Sequence, residues 1–250
     1  MSKAYTDLLL DTCLLAGKIM MESGAEMYRV EDTMNRIATV ESGKKGISFV
    51  TPTGIFMAIE GGSSVKLQQI PSRSINLERV SKVNDLSREF SAQKIDLPTL
   101  STRLKQVENE NDFFPIWLQI IAAAVVSGTL MILFGGAWPD FIQSCIIGAI
   151  GFAVYYYSNE FLKVKFLAEF FAAFVIGLLA IATVSIGWGV SVDGMIIGSV
   201  MPLVPGVPIT NSVRDLLAGH LLSGMARGTE ALITACMIGI GIAVVFQMFY

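Results

Sequence analysis

The residues best suited to chemistry lie together in the stretch PLVPGVPITNSVRD, residues 202–215. Prolines lack a backbone N–H, so carbonyls one turn earlier lose their helical partners. At membrane depth such carbonyls must bind protein or water in a cavity, and secondary transporters hold substrates beside broken helices of this kind. The stretch therefore predicts a substrate-binding or pathway site formed by Pro202, Pro205, Gly206, Pro208, Thr210, Asn211, Arg214 and Asp215.

A carboxylate is the ligand that this stretch favours. A half-helix beginning near Thr210 would direct its N-terminal N–H groups, which carry partial positive charge, towards the break. Arg214 lies one turn further and can bind a carboxylate through two parallel hydrogen bonds. Gly206 has no side chain and lets a ligand come close. The alternative is that residues 202–209 are only a helix end and that Arg214 is an interfacial anchor.

Two ionisable residues outside this stretch are candidates for proton transfer. Glu169 lies near the start of an apolar segment, and an intramembrane carboxylate is a functional candidate by default. An ion pair with Lys163 or Lys165 explains Glu169 equally well. His220, the single histidine, can relay protons near neutral pH, although a solvated or interfacial histidine is the simpler interpretation.

Four more charged residues are candidates for proton transfer or gating. Glu26 and Arg29 fit a gate below the pore, or an ordinary ion pair on a helix face. Arg227 and Glu230 are three residues apart and fit such a pair as well.

Several classes of protein are excluded by what the sequence lacks. His220 is the only histidine, so a Ser-His-Asp or Cys-His arrangement in the soluble part has no base. No HExxH, GxSxG, P-loop or GxGxxG motif is present, and the three cysteines have no metal-ligand spacing. The net charge of -3 gives no basic stripe for nucleic acid. We expect no enzyme, metal or cofactor; a membrane-anchored hydrolase or a non-transporting scaffold are the weaker alternatives.

The candidate residues must be positioned by two parts of the chain, a charged part that is suited to water and an apolar part that is suited to lipid. Charged residues make up 16% of the chain, against about 25% in soluble domains. Residues 1–114 hold 14 of the 18 Lys and Arg and 15 of the 21 Asp and Glu. The sequence predicts a membrane protein in which an N-terminal α+β cytoplasmic domain, residues 1–114, precedes an all-α bundle of about five transmembrane helices, residues 115–250. Apolar segments of spanning length lie near 116–134, 141–157, 166–189, 192–209 and 231–250.

The N-terminal part combines helical and strand-like patterns. Apolar periodicity favours helices at 4–22 and about 24–41, and Ser23 to Glu26 fit a capping box with Ser23 as the N-cap of the second helix. Strand-like segments follow at 47–50, 54–59 and 65–70, with a hairpin turn at Gly61 and Gly62. Two amphipathic helices, near 80–90 and 97–107, complete this part.

The basic residues of the loops predict the orientation in the membrane. Fourteen precede the first span, Lys163 and Lys165 follow the second, and Arg214 and Arg227 follow the fourth, whereas the other two loops have none. This alternation places the N-terminal part in the cytoplasm and the C-terminus outside the cell membrane. The first residues lack the long apolar region of a cleaved signal peptide.

Three segments carry a resemblance to one family. Residues 202–232, PLVPGVPITNSVRDLLAGHLLSGMARGTEAL, resemble the signature of the threonine/serine exporter family. Residues 14–38, LLAGKIMMESGAEMYRVEDTMNRIA, resemble its opening helices, and residues 75–90, INLERVSKVNDLSREF, its third soluble helix. The resemblance covers nearly all of the soluble part and the membrane part to residue 250. It implies a secondary transporter that exports threonine- or serine-like amino acids with the proton gradient.

The resemblance also implies a partner. In this family one chain can carry two membrane halves, or the halves can be separate proteins. The present chain looks like the larger subunit of a split pair, which would assemble in the lipid bilayer with a small second membrane subunit as a hetero-oligomer. Related split pairs are described as dicarboxylate (succinate) exporters, so a succinate exporter subunit is the alternative. Both substrate classes carry a carboxylate, and the predicted site does not choose between them.

Overall fold

The computed structural model describes residues 2–110 and 114–249, which form two compact units. The first unit contains the described residues up to 110 together with residues 209–228. The second contains residues 114–208 and 229–249. Each unit has its own buried apolar core.

The first unit is α+β. Its three strands form an antiparallel sheet in the order β1-β2-β3, and the inward-facing side chains Val50, Ile55 and Met57 are buried in the core of the unit. The predicted strands and flanking helices are therefore confirmed. The elements are α1 (Lys3–Glu22), α2 (Met27–Ser42), β1 (Gly46–Thr51), β2 (Gly54–Ile59), β3 (Val65–Gln69), α3 (Leu77–Ser91) and α4 (Leu97–Asn109).

The junction between α1 and α2 differs from the predicted capping box. Helix α1 continues to Glu22, Ser23 is its C-cap, and Gly24 follows with a left-handed φ of 85°. Helix α2 begins at Met27 with Glu26 at the N-cap position, and the Glu26 side chain makes no capping hydrogen bond. The prediction was wrong because Gly24 ends α1 in the conformation that glycine favours after a helix. The Glu26 carboxylate therefore has other partners.

The second unit is helical and apolar. Among the described residues, four helical stretches are long and apolar enough to cross a membrane, and α8 with α9 forms a fifth candidate that is bent by 60°. The predicted membrane architecture of about five spans is confirmed. The helices are α5 (Ile116–Leu133), α6 (Phe141–Leu162), α7 (Leu167–Ser185), α8 (Val192–Val200), α9 (Gly206–Leu217) and α10 (Leu221–Phe249), with short 3₁₀ turns at Trp138–Asp140 and Met201–Leu203.

The segment between the predicted fourth and fifth spans, residues 210–229, is largely helical. Helix α9 runs to Leu217, Gly219 turns the chain with a φ of 88°, and α10 begins at Leu221 rather than near residue 231. We call residues 209–228 the hairpin. The hairpin packs within the first unit, where its polar side chains find partners. The predicted division of the chain at residue 114 stays a prediction. Which residues lie in a membrane stays a prediction.

Candidate functional site

The predicted break in the fourth span is confirmed. A 3₁₀ turn containing Pro202 follows α8, and α9 begins at Gly206, directly after Pro205. Pro208 lies in the first turn of α9, where its missing N–H costs no helical hydrogen bond. Pro202 and Pro205, not Pro208, therefore interrupt the span.

The half-helix after the break does not begin near Thr210, as predicted, but at Gly206. Eight residues of helix place Arg214 about 12 Å further along the axis than Gly206. A single carboxylate cannot contact both the N–H groups at the start of α9 and the Arg214 guanidinium. Thr210 lies between them with an exposed side chain. The prediction failed because proline is tolerated in the first turn of a helix, so Pro208 did not delay its start.

The hairpin contacts the α1–α2 junction through buried polar side chains. Asn211 donates a hydrogen bond of 2.9 Å from Nδ2 to the Gly24 carbonyl. Asp215 is 0% exposed and accepts a hydrogen bond of 3.0 Å from the Met27 N–H. Met27 is the first residue of α2, so the Asp215 carboxylate caps this helix at its positive end. We call Glu26, Asn211, Arg214, Asp215 and Arg227 the junction cluster.

Arg227 compensates the buried charge of Asp215. Its Nη1 lies 3.4 Å from Asp215 Oδ2, and its Nη2 donates a hydrogen bond of 2.9 Å to the Ala25 carbonyl. The side chains are 7% and 0% exposed. A buried charge pair of this kind is costly to break, since removing one partner leaves the other uncompensated. Whether Arg227 also approaches Glu230, as the sequence suggests, stays a prediction.

Arg214 occupies the open side of the junction cluster. Its Nη1 donates to Glu26 Oε1 at 2.6 Å, and the second oxygen of Glu26 pairs with Arg29 Nε at 3.0 Å. The Arg214 side chain is 57% exposed, whereas that of Glu26 is 9% exposed. The guanidinium therefore holds a carboxylate, as predicted for this residue, but the carboxylate belongs to the protein.

The turn of the hairpin contacts α2 and β1. His220 Nδ1 lies 3.9 Å from Glu31 Oε1, and the same oxygen accepts a hydrogen bond of 3.2 Å from the Val50 N–H. Ser223 donates to the Val50 carbonyl at 3.5 Å. Within the hairpin, Ser212 donates to the Gly224 carbonyl at 2.7 Å. Neither serine was predicted from the sequence, where the only signal was a small polar residue on the inner side of each helix.

Glu169 and Glu230, two of the residues predicted for proton transfer or gating, lie in the second unit. Glu169 is in the first turn of α7 and has no salt-bridge partner among residues 2–110 and 114–249. Lys165 instead lies 3.5 Å from Glu230. The ion pair offered as an alternative for Glu169 is therefore not formed, because Glu230 occupies the nearby lysine. An acid in the first turn interacts favourably with the positive end of its helix.

Asp140 is a further buried polar residue that was not predicted from the sequence. This residue is 0% exposed, and its carboxylate accepts hydrogen bonds from the N–H groups of Val190 at 2.7 Å and Ser191 at 2.9 Å. It thereby holds the segment that precedes α8 within the second unit. A signal was present, since Asp140 is the single acid in a loop without basic residues.

The apolar helices, one of them broken, define a multi-pass membrane protein. Comparison with protein families is consistent with this class: the family model described as "Putative threonine/serine exporter" matches residues 11–249. The chain belongs to this threonine/serine exporter family.

The chain is similar to a relative named as an exporter and to two relatives named as transporter subunits. A Mycobacterium tuberculosis protein named "Probable threonine/serine exporter" is 19% identical over 244 residues, covering 96% of this chain but only 46% of that protein. A Klebsiella aerogenes protein named "Probable succinate transporter subunit YjjP" is 21% identical, covering 94% of this chain and 92% of the relative. The protein of the same name from Escherichia coli (strain K12) is 23% identical, covering 86% and 84%. No solved structure matches the chain.

Proposed function

We propose that this chain is a subunit of a secondary exporter that moves small carboxylate-bearing metabolites, foremost threonine- and serine-like amino acids, across the cell membrane with the proton gradient. The family description and the name of the mycobacterial relative support the amino-acid substrate. The chain spans about half the length of that relative, so the activity of the whole relative enters only as part of the proposal.

One observation carries the proposal, the pair at 2.6 Å between the Arg214 guanidinium, whose side chain is 57% exposed, and the buried carboxylate of Glu26. A substrate carboxylate can reach the exposed guanidinium from solvent and compete with Glu26 for it. Glu26 keeps Arg29 as a partner when it leaves Arg214. In the proposed cycle the substrate carboxylate and Glu26 alternate on Arg214, and the buried pair of Asp215 and Arg227 keeps the hairpin in place.

Coupling to protons is assigned to the turn of the hairpin. His220 and Glu31 lie 3.9 Å apart and are half-buried. Histidine changes its charge near neutral pH, and a protonated His220 would attract Glu31 more strongly. Because Glu31 also accepts the Val50 N–H, protonation of His220 would strengthen the contact between the hairpin and β1.

The second candidate is export of succinate. The two relatives named as succinate transporter subunits match this chain over most of their own length. Arg214 can recognise either substrate, since both carry a carboxylate. The word subunit in both names supports a partner. The proposed partner is a small second membrane protein in a hetero-oligomer, and the basic residues of the loops support a cytoplasmic N-terminal part.

Efflux from proteoliposomes tests the proposal. Vesicles containing the chain and a co-expressed small subunit of the same family are loaded with radiolabelled threonine, serine or succinate, and efflux is measured with and without an imposed pH gradient. The expected result is saturable, gradient-dependent efflux that Arg214→Ala lowers about tenfold or more and that Arg214→Lys only partly restores.

Arg103→Ala is the matched control. Arg103 is 46% exposed and pairs with Glu89 at 2.9 Å, so its loss removes a similar ion pair elsewhere in the first unit. Efflux should remain at the wild-type level in this variant. Wild-type efflux by Arg214→Ala at equal membrane abundance would refute the proposed site, and absence of gradient-dependent efflux of all three solutes would refute the proposed function. The solute that is exported decides between the two candidates.

A further inference from the structure

The sheet of the first unit has an apolar face that is open to solvent. Phe49, Phe56 and Leu67 are direct cross-strand partners in the register of β1, β2 and β3. The rings of Phe49 and Phe56 are 6.3 Å apart. Ile47 and Val65 flank Ala58 in the neighbouring row. We call these exposed residues the outer sheet face: Ile47, Phe49, Phe56, Val65 and Leu67.

The composition of the outer sheet face is unusual for a surface. A sheet covered on one side normally has polar residues on the other, yet these five side chains are between 41% and 67% exposed. They leave about 500 Å² of apolar surface open to solvent, which is near the largest patch of a typical monomer. The nine outward-facing positions include no charged residue: 47, 49, 51, 54, 56, 58, 65, 67 and 69.

We propose that two copies of this chain pack against each other through the outer sheet face. This inference is independent of the proposed transport activity. Two copies would bury about 1,000 Å² of apolar surface together, the size at which specific interfaces begin. Sheets that pack face to face interdigitate their side chains at about 10 Å separation.

The absence of charge favours a second copy over other partners. In a two-fold contact each surface meets itself, so any charged residue near the axis would face its own copy and repel it. The outer sheet face avoids this problem. A bilayer surface is the less suitable partner, because membrane-binding surfaces use Lys and Arg with Trp, and none of these occupies the nine positions.

Co-purification of two differently tagged full-length copies from one membrane tests the inference. Phe56 lies at the centre of the face on the middle strand, so Phe56→Lys in both copies should lower recovery of the second tag about tenfold or more. Val40→Lys is the matched control, since Val40 lies on α2 and is 40% exposed against 41% for Phe56. Recovery at the wild-type level in Phe56→Lys, or none in the unaltered chain, would overturn the proposal.

Cross-linking tests the same contact by a gained signal, so a folding defect of Phe56→Lys does not affect the result. Phe56→Cys, near the two-fold axis, should form a disulfide between two copies in oxidised native membranes, whereas Val40→Cys should not. Both are made with Cys236, which is exposed, replaced by serine. A cross-link from Phe56→Cys to a different protein, to the small subunit, or to nothing would each show that a second copy does not cover this face.

Discussion

The Asp215 carboxylate accepts a hydrogen bond of 3.0 Å from the N–H of Met27, 188 residues earlier in the chain. Helix α2 has no side-chain cap of its own, so the hairpin supplies the acceptor that its first N–H needs. Arg227, from the other arm of the hairpin, balances the charge of Asp215. The hairpin therefore completes the first unit, although in the sequence it follows the apolar helix α8 and includes the start of the apolar helix α10.

This relationship predicts that Asp215 is essential for stability. Asp215→Ala removes the cap of α2 and the buried carboxylate that pairs with Arg227, a loss of about 3–5 kcal/mol. For a chain of this size the midpoint of thermal unfolding should fall by about 6 °C or more in the purified protein.

Asp193→Ala is the control for this loss. Asp193 is an exposed acid in the first turn of α8, where an acid contributes about 0.3–1 kcal/mol through the helix dipole. Its removal should shift the midpoint by about 4 °C at most. Equal shifts in the two variants would contradict the capping role of Asp215.

The pattern of neighbouring residues in the sequence was sufficient to predict the strands, the spans and the break between α8 and α9. Alternating apolar residues specified the three strands, apolar length specified the spans, and Pro202 with Pro205 specified the break. Each of these signals depends on residues that are neighbours in the chain. The start of α9 was misplaced for the same reason, because Pro208 was interpreted as a breaker although a first helical turn tolerates it.

Partners across the chain could not be predicted in this way. Glu26 and Arg214 were each candidates from the sequence, but nothing in their local patterns indicated that they pair. The four-residue pattern from Ser23 to Glu26 even suggested a local role for Glu26, in a capping box. Glycine at position 24 redirected the chain, and the Glu26 side chain then reached a helix 188 residues later. Such contacts depend on tertiary packing, which periodicity does not contain.

Gly206 should be needed for export without being needed for folding. A Cβ added at Gly206 meets nothing within 4 Å, and the same is true of Gly239 in α10. Both positions are exposed and have room for a first side-chain carbon, and leucine favours a helix over glycine. If a ligand approaches the break, the leucine side chain of Gly206→Leu would displace the ligand from its position. This variant should therefore lower threonine or succinate efflux about tenfold. Gly239→Leu should export normally. Equal efflux from both variants would place the pathway elsewhere.

The orientation of the first span can be tested by cysteine labelling of intact cells. With Cys145 and Cys236 replaced by alanine, a membrane-impermeant maleimide should label Ala137→Cys but reach Ser91→Cys only after lysis. Cys13 does not interfere, because it is buried and burial raises the pKa of its thiol, which suppresses the reactive thiolate. The opposite labelling pattern would invert the predicted topology.

The competition between Glu26 and substrate for Arg214 leads to a prediction about affinity. Glu26→Gln keeps the size of the side chain but removes the charge that holds Arg214 at 2.6 Å. If the substrate carboxylate must displace Glu26, this variant should lower KM for efflux about threefold to fivefold, which corresponds to a competing interaction of about 1 kcal/mol. Glu89→Gln, which breaks the comparable pair with Arg103, should leave KM unchanged.

The double variant Glu26→Gln with Arg214→Ala distinguishes this competition from the alternative that the Glu26–Arg214 pair only holds the hairpin in place, which we call a latch. Without Arg214 there is no guanidinium to release, so Glu26→Gln combined with Arg214→Ala should match Arg214→Ala alone, and the two single effects should not add. A latch between Glu26 and Arg214 predicts a different pattern: either single variant would loosen the hairpin, and both would change efflux in the same direction. KM that rises in Glu26→Gln, or efflux changes that add in the double variant, would exclude exchange of carboxylates on Arg214.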